Sequence, residues 1–500
     1  MAFILKLGTP KLGAALLLAS TAAPALADAP ALADTPVLPD AAAQDRAATI
    51  LPIAAALEPR LNTVSREVWS LSEIGFKEVK SSARLQQELK AAGFRITPGA
   101  GGMPTAFIAE AGSGGPVIAL LAEYDALPGL AQAAVPHESP IAGQVAGQAC
   151  GHNLLGAASV TAAIAIKGWL EKNKVPGTIR LYGTPAEEGG FSKVYLVRDG
   201  YFKDVDLTLT WHPGDRNGAT PGRSLAMISG KFRFQGVASH AAAAPERGRS
   251  ALDGVEVMNV AANFLREHVP SDARIQYVIT NGGGQPNIVP ANAESFYFVR
   301  HHDAAVVKDI WGRIRKAAEG AALATGTSVQ VELISGAYDT LPNITLNRIV
   351  HHALTRVGGY AYTPADAAFA KQIIATYPDR GIAESDPSAI EPLGPERKGS
   401  ASSDVGDVSW VTPTASLSTA TFVRGTSPHS WQAAATSGTP IGEKGALVAA
   451  KTMALTAAEL FLTPDAITAA KAEFEQRRGP DFKYVSLAGD RKPALDYTDR

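Results

Sequence analysis

Residues 116–122 constrain the fold of this chain more than any other stretch. They are nearly all apolar, as a strand buried on both faces must be, and such strands belong to parallel sheets covered by helices on either side. The run ends directly in Glu123, Tyr124 and Asp125. The same arrangement recurs downstream. Residues 178–183 read as a strand ending before Glu187 and Glu188, and 206–211 as a strand ending before His212. A strand at 415–423 is followed by Pro428 and His429. Helical periodicity separates these strands, over 58–71, 80–92, 154–170, 193–198, 343–357 and 446–461. The alternation predicts an α/β domain with a doubly wound, mostly parallel sheet. Such sheets build their sites at the carboxyl ends of the strands, where Asp125, Glu187, Glu188 and His212 all fall.

The alternation breaks near Met227. From about residue 230 to 337 the order becomes strand, helix, strand, strand, helix, strand, which is the ferredoxin-like βαββαβ motif and reads as a domain inserted into the first. With 500 residues the chain exceeds the usual size of a single core. The expected organisation is a signal peptide (1–27), a loose linker (28–47), a catalytic domain in two parts (48–228 and 339–465) around a lid and dimerisation domain (229–338), and a C-terminal helix and tail (466–500). The polar tail after Gly479 is expected to drape over the surface or remain unstructured.

Lys6 and Lys11 precede a short apolar stretch at 12–20, followed by Ala25, Leu26 and Ala27 as a small-x-small cleavage site. This pattern predicts export and a secreted, periplasmic protein with no membrane span after cleavage; an uncleaved anchor is the alternative. An apolar content of 46%, a charged content of 19% and a net charge of -2, with no basic block, describe a globular protein and argue against nucleic acid as a partner. Cys150 is the only cysteine, so no disulfide forms within the chain. It stands two residues before His152 on a glycine turn that opens a helix, where the helix N-terminus favours a thiolate. Taken alone, the turn reads most simply as a buried corner of small residues, or else as the nucleophile and base of a thiol hydrolase. Together with Glu188, His212 and His429, however, Cys150 and His152 make a thiolate, imidazole and carboxylate set suited to Zn or Mn. Glu187 then stands beside a ligand, placed to take a proton from metal-activated water, and Asp125 is suited to fix the tautomer of a ligating imidazole.

In chain order, residues 123–128, 150–156, 185–190, 211–213, 404–411 and 429–432 resemble the motifs of the aminoacylase/carboxypeptidase superfamily of dinuclear-metal amidohydrolases, peptidase family twenty of the metallopeptidases. The likeness runs from about residue 57 to 461, inserted domain included, and is greatest to the p-aminobenzoyl-glutamate hydrolase branch. It implies two divalent metal ions per subunit, held by Cys150, His152, Glu188, His212 and His429 with Cys150 bridging. Glu187 would be general base and then proton donor, with Asp125 behind the ligands. It also implies a homodimer whose lid carries His240 to the reacting carbonyl, and substrate contacts from Asn287 and Arg300. The implied substrate is a small N-acyl or N-aroyl amino acid or a dipeptide, cleaved at its amide bond. The alternatives are a dipeptidase or carboxypeptidase of the same fold, and a non-catalytic amino-acid- or peptide-binding relative. Glu123 and Asn153 depart from the auxin-conjugate branch, which carries Asp at both places.

Overall fold

In the computed structural model, which describes residues 39–378 and 386–499, the strand Val117–Ala122 lies inside a six-stranded sheet. The strands are ordered Arg95–Pro98, Phe107–Ser113, Gly177–Gly183, Val117–Ala122, Leu207–Gly214 and Thr414–Ala420. The last four of these are parallel, and the first two add an antiparallel edge. The period-2 alternation of a strand explains why Val117–Ala122 is apolar throughout. Ile118, Leu120 and Ala122 enter the core beneath the helices His152–Asn173 and Pro440–Leu462. Ala119 and Leu121 point the other way and pack with Tyr182, Tyr195 and Phe202. Those two helices are apolar enough and long enough to cross a membrane, but both are buried in this core, and their apolar residues run all round because neighbours cover every side.

The chain leaves this domain at Arg223 and Ser224 and returns at Asp339 and Thr340. The crossing strands are tied by an Arg223–Asp339 ion pair at 2.7 Å and a hydroxyl contact between Ser224 and Thr340 at 2.8 Å. Between them, Arg274–Asn281, Asn292–His301, Ala226–Gln235 and Ser328–Ala337 form, in that order, an antiparallel sheet. The helices Ala251–Leu265 and Ala304–Thr325 cover one face, bringing Val255 and Trp311 into one core with Phe232, Phe234 and Tyr297 of the sheet. The inserted domain is thus ferredoxin-like, and it begins a little earlier than the sequence suggests, because Ala226 already pairs with His301.

Two segments differ from expectation. The expected signal peptide and residues 28–38 lie outside the described residues, but the remainder of the expected linker includes a helix, Ala41–Ala48, capped by the Asp40 carboxylate at the Ala43 N–H. The tail after Gly479 is tied down, not draped. Tyr484 donates to Asp407 at 2.6 Å, Leu487 and Ala488 are buried, and the Arg198 guanidinium donates to the carbonyl of Arg491. Tyr497 then packs edge-on to Phe76, in the space left by Gly75 and Gly189. Polar composition hid these few apolar anchors. A chain ending at Gly479 is expected to lose about 3 kcal/mol or more of stability, since the anchors bury aromatic and aliphatic surface and leave a gap when removed. Urea denaturation of the truncated and full chains measures this; an unchanged midpoint would mean that the tail contributes nothing.

Candidate metal centre

Three loops at the carboxyl ends of the parallel strands converge on the Cys150 turn. Gly151 has a φ of 77°, and a Cβ there would sit 2.9 Å from the Pro213 ring, so only glycine lets the turn press against the end of the His212 strand. That strand runs on to Gly214, so His212 lies within its last residues instead of just past them. Ala186, with a φ of 56°, turns the chain ahead of Glu187 and Glu188, and its N–H donates to the buried Glu78 carboxylate at 2.8 Å. His429 also takes a left-handed conformation, and its N–H donates to the Ala149 carbonyl at 2.9 Å. Non-glycine residues in this region carry strain; here one stands just ahead of Glu187 and Glu188, and the other is a candidate ligand itself.

The ligand atoms of Cys150, His152 and His212 lie within 4.8 Å of one another, and so do those of Cys150, Glu188 and His429. Cys150 belongs to both groups. A third group of the same size joins Glu123, His152 and Glu187. The imidazoles are oriented from behind. Asp125 stands 2.9 Å from His152 Nδ1 and accepts the Glu188 N–H with its other oxygen, while His212 Nδ1 faces the Pro213 carbonyl at 2.8 Å. Each Nε2 is thereby left facing inward. His212 Nε2 is 3.5 Å from the Cys150 sulfur, and His429 Nε2 is 3.2 Å from Glu188. Among the described residues, His152 Nε2, Glu188 Oε1 and Glu123 Oε2 are buried and make no hydrogen bond, meeting only at ion-pair distance, Glu123 at 3.3 Å from His152 and Glu188 at 3.2 Å from His429. Buried donors and acceptors left open, converging from nitrogen, oxygen and sulfur groups, fit a borderline divalent cation.

The electrostatics point the same way. Burial pushes the Cys150 thiol well above its ordinary range, and the carboxylates of Glu188 and Glu187 add to the shift. Burial outweighs the opposing effect of His152, so a thiolate at this position calls for a cation beside it. Burial first, and then Glu123, Glu188 and Asp404, raise the Glu187 carboxyl well above the usual carboxylate range, with Lys193 opposing. Burial and the nearby Asp125 push Glu78 up to about 8.

Two members of this cluster carry no motif that sequence reasoning could use. Lys193 is fully buried, 2.8 Å from Glu123 and 2.6 Å from Asp404, and Glu78 anchors Ala186 from a different helix start. A lysine in the first turn of a short helix reads as an exposed residue, and only the fold turns it inward. Lys193 also gives Glu123 a physical reason: the longer carboxylate reaches the ammonium with one oxygen and lies 3.3 Å from His152 Nε2 with the other. Asn153 donates to Ser65 and to the Ser437 carbonyl, bonds that an aspartate could not make in full. His240 is exposed, its Nδ1 accepting the N–H groups of Ala242 and Ala243, and Asn287 is exposed beside it. The Arg300 guanidinium lies over the Phe298 ring. Among the described residues these three make no contact with the Cys150 cluster within the subunit.

Residues 119–402 match the model of peptidase family M20/M25/M40. The chain is 41% identical to one of the subunits of the p-aminobenzoyl-glutamate hydrolase of Escherichia coli (strain K12), over 83% of this chain and 92% of that protein. It is 31% identical to the Xaa-Arg dipeptidase of Mus musculus, over 83% of this chain and 89% of that one. Among solved structures, an aminobenzoyl-glutamate utilization protein from Klebsiella pneumoniae superposes with a TM-score of 0.58 at 17% identity, covering 81% of this chain and 96% of the other. A dinuclear metal-binding peptidase of the M20 family from Bacillus subtilis superposes with a TM-score of 0.57 at 18% identity, covering 82% and 99%. At these identities the structural likeness establishes the fold.

Lys193→Met removes the one ammonium that balances two buried carboxylates while keeping the volume of the side chain. The metal-free protein is expected to lose about 3–5 kcal/mol, the penalty for leaving buried charge unpaired. Denaturant unfolding in EDTA measures the loss; equal midpoints for wild type and variant would show that Glu123 and Asp404 do not depend on Lys193.

Proposed function

The chain belongs to peptidase family M20/M25/M40, and from that premise we propose how its site works and what it acts on. The protein is a metal-dependent hydrolase of C–N amide bonds. We propose that its substrates are N-acyl or N-aroyl amino acids of the p-aminobenzoyl-glutamate type. The observation that carries this reading is the sharing of Cys150 between two groups of ligand atoms with Glu187 alongside. Cys150, His152 and His212 would hold one divalent ion, and Cys150, Glu188 and His429 a second, each Zn or Mn. Bound metal supplies Lewis acidity, which activates water and polarises the scissile carbonyl. Glu187 takes the proton from the attacking water and delivers it to the leaving nitrogen. Its raised affinity for protons suits the second of these steps, while the cations beside it favour the carboxylate needed for the first. Asp125 holds the His152 ring in register. A dipeptidase is the second reading, supported by the likeness to the Xaa-Arg dipeptidase.

The proposed homodimer is supported by the outer face of the inserted domain. Val257, Val260 and Phe264 are exposed on the helix Ala251–Leu265, beside Val278 and Ile279 on the edge strand. An apolar helix face next to an open strand edge suits a self-complementary contact. His240 would act on the oxyanion in the site of the partner subunit, which accords with its exposure here. Export to the periplasm rests on residues 1–27. N-terminal sequencing and sedimentation of protein recovered from the periplasm are expected to give a chain starting at Asp28 and twice the subunit mass; a chain retained in the cytoplasm with Met1 intact would reject export.

Glu187→Gln is expected to keep its metal and lose turnover by about 100-fold or more, the range for removing a general base. Cys150→Ser is expected to lower metal occupancy while the fold persists. Metal analysis and steady-state rates on N-aroyl amino acids test both, and wild-type-like turnover of Glu187→Gln would reject the assigned base.

A further inference from the structure

A cavity of about 570 Å³ opens beside the metal centre, and its charge has no use in the chemistry described so far. His212 and Glu123 form one end. The walls come from the crossing strands of the inserted domain, at Ser224 and Thr340, and from the loop that carries Ser400 and Ser403. The volume suits one small molecule. Three guanidinium groups line it: Arg216, Arg223 and Arg397. Arg223 is committed to Asp339 at 2.7 Å, although its buried Nε has no partner. Among the described residues, the carboxylate that Arg216 meets is that of its chain neighbour Asp215, at 3.4 Å. Arg397 is without an anionic partner among the described residues; the short backbone pairing with Gly222 and Arg223 fixes its position. The lining carboxylates are already engaged. Glu123 faces Lys193, Glu391 faces Arg424, and Asp215 pairs with Arg216 while accepting the Gly425 N–H, so the charge left over in the lining is that of Arg397.

A concave pocket with surplus guanidinium charge and several hydroxyl groups recognises a carboxylate and repels a cation. We propose that this cavity is the subsite for a substrate side-chain carboxylate, and that Arg397, assisted by Arg216, makes the enzyme selective for N-acylated acidic amino acids. The inference rests on the amide-hydrolase reading and sharpens it. It also separates the two substrate readings, because the basic side chain of an Xaa-Arg dipeptide would meet like charge here.

The test compares N-benzoylglutamate with its uncharged isostere N-benzoylglutamine, using metal-loaded wild type, Arg397→Met and Arg216→Met. Wild type is expected to favour the glutamate compound. Arg397→Met is expected to reduce that preference in kcat/KM by about 10- to 100-fold, and Arg216→Met by less, as for the loss of a charge-assisted contact. A preference that is absent in wild type, or unchanged in Arg397→Met, overturns the subsite. Calorimetry with free glutamate and free glutamine separates the subsite from the reaction. Tighter binding of glutamate that is lost in Arg397→Met, in a protein that hydrolyses neither compound, would uphold the subsite and reject the reaction.

Discussion

The mutual repulsion of carboxylates buried at the ends of two strands and the starts of two helices is the constraint on which the rest of this structure depends. Glu78, Glu123, Asp125, Glu187, Glu188 and Asp404 are buried or nearly so within one region, and Lys193 is the cation the chain itself places among them. Water would stabilise such charges, but the core excludes it. The cost of holding them is offset in three ways. Lys193 pairs with Glu123 and Asp404. Backbone and hydroxyl donors satisfy Glu78 and Asp125. The remaining open atoms, on Glu188, Glu123 and His152, converge where a divalent ion would sit. Metal binding and stability are therefore coupled: the ion that activates the substrate also relieves the repulsion in the site.

The fold converts this constraint into geometry. Parallel strands deliver the Glu123, Glu187 and His212 loops to one edge of the sheet, and the glycine turn at Gly151 lets the Cys150 corner come close to Pro213. Left-handed backbone at Ala186 and His429 aims Glu187, Glu188 and the His429 ring, with Ala186 and His429 each held by a hydrogen bond from its own N–H. The tail reinforces the same place from behind, since Tyr497 occupies the space beside Gly189 that a larger residue would fill.

The periodicity of the chain was sufficient to read the sheet, the inserted domain and the position of the acids and histidines at strand ends, because alternation and strand termini are local properties. The His212 strand runs a few residues further than its sequence suggests, as its pairing with Thr414–Ala420 continues through Gly214. Lys193 and Glu78 were not legible, because what buries them is the approach of segments far apart in sequence. The burial that raises the Cys150 thiol is hidden in the same way: a helix terminus is a local feature, whereas burial depends on the whole fold. The tail was misread because a few anchors, at Tyr484, Leu487 and Tyr497, outweigh a polar majority.

The cavity lies where the chain crosses into and out of the inserted domain, so the proposed subsite would couple substrate choice to any movement of that domain. Arg223 and Ser224 lead into the inserted domain, Asp339 and Thr340 lead out, and all but Asp339 line the cavity. Any rotation of the inserted domain about these strands changes the shape of the pocket that faces Arg397, while His240, Asn287 and Arg300 move with the domain itself. A carboxylate in the cavity would bridge fixed arginines of the catalytic domain and the hydroxyl groups of the crossing strands. It would therefore bind best in one lid position, and binding energy from a part of the substrate remote from the scissile bond would be used to set the geometry around it. Under the proposed subsite, selectivity and the position of the inserted domain would be linked, because hydroxyl groups at the crossing line the same cavity as Arg397.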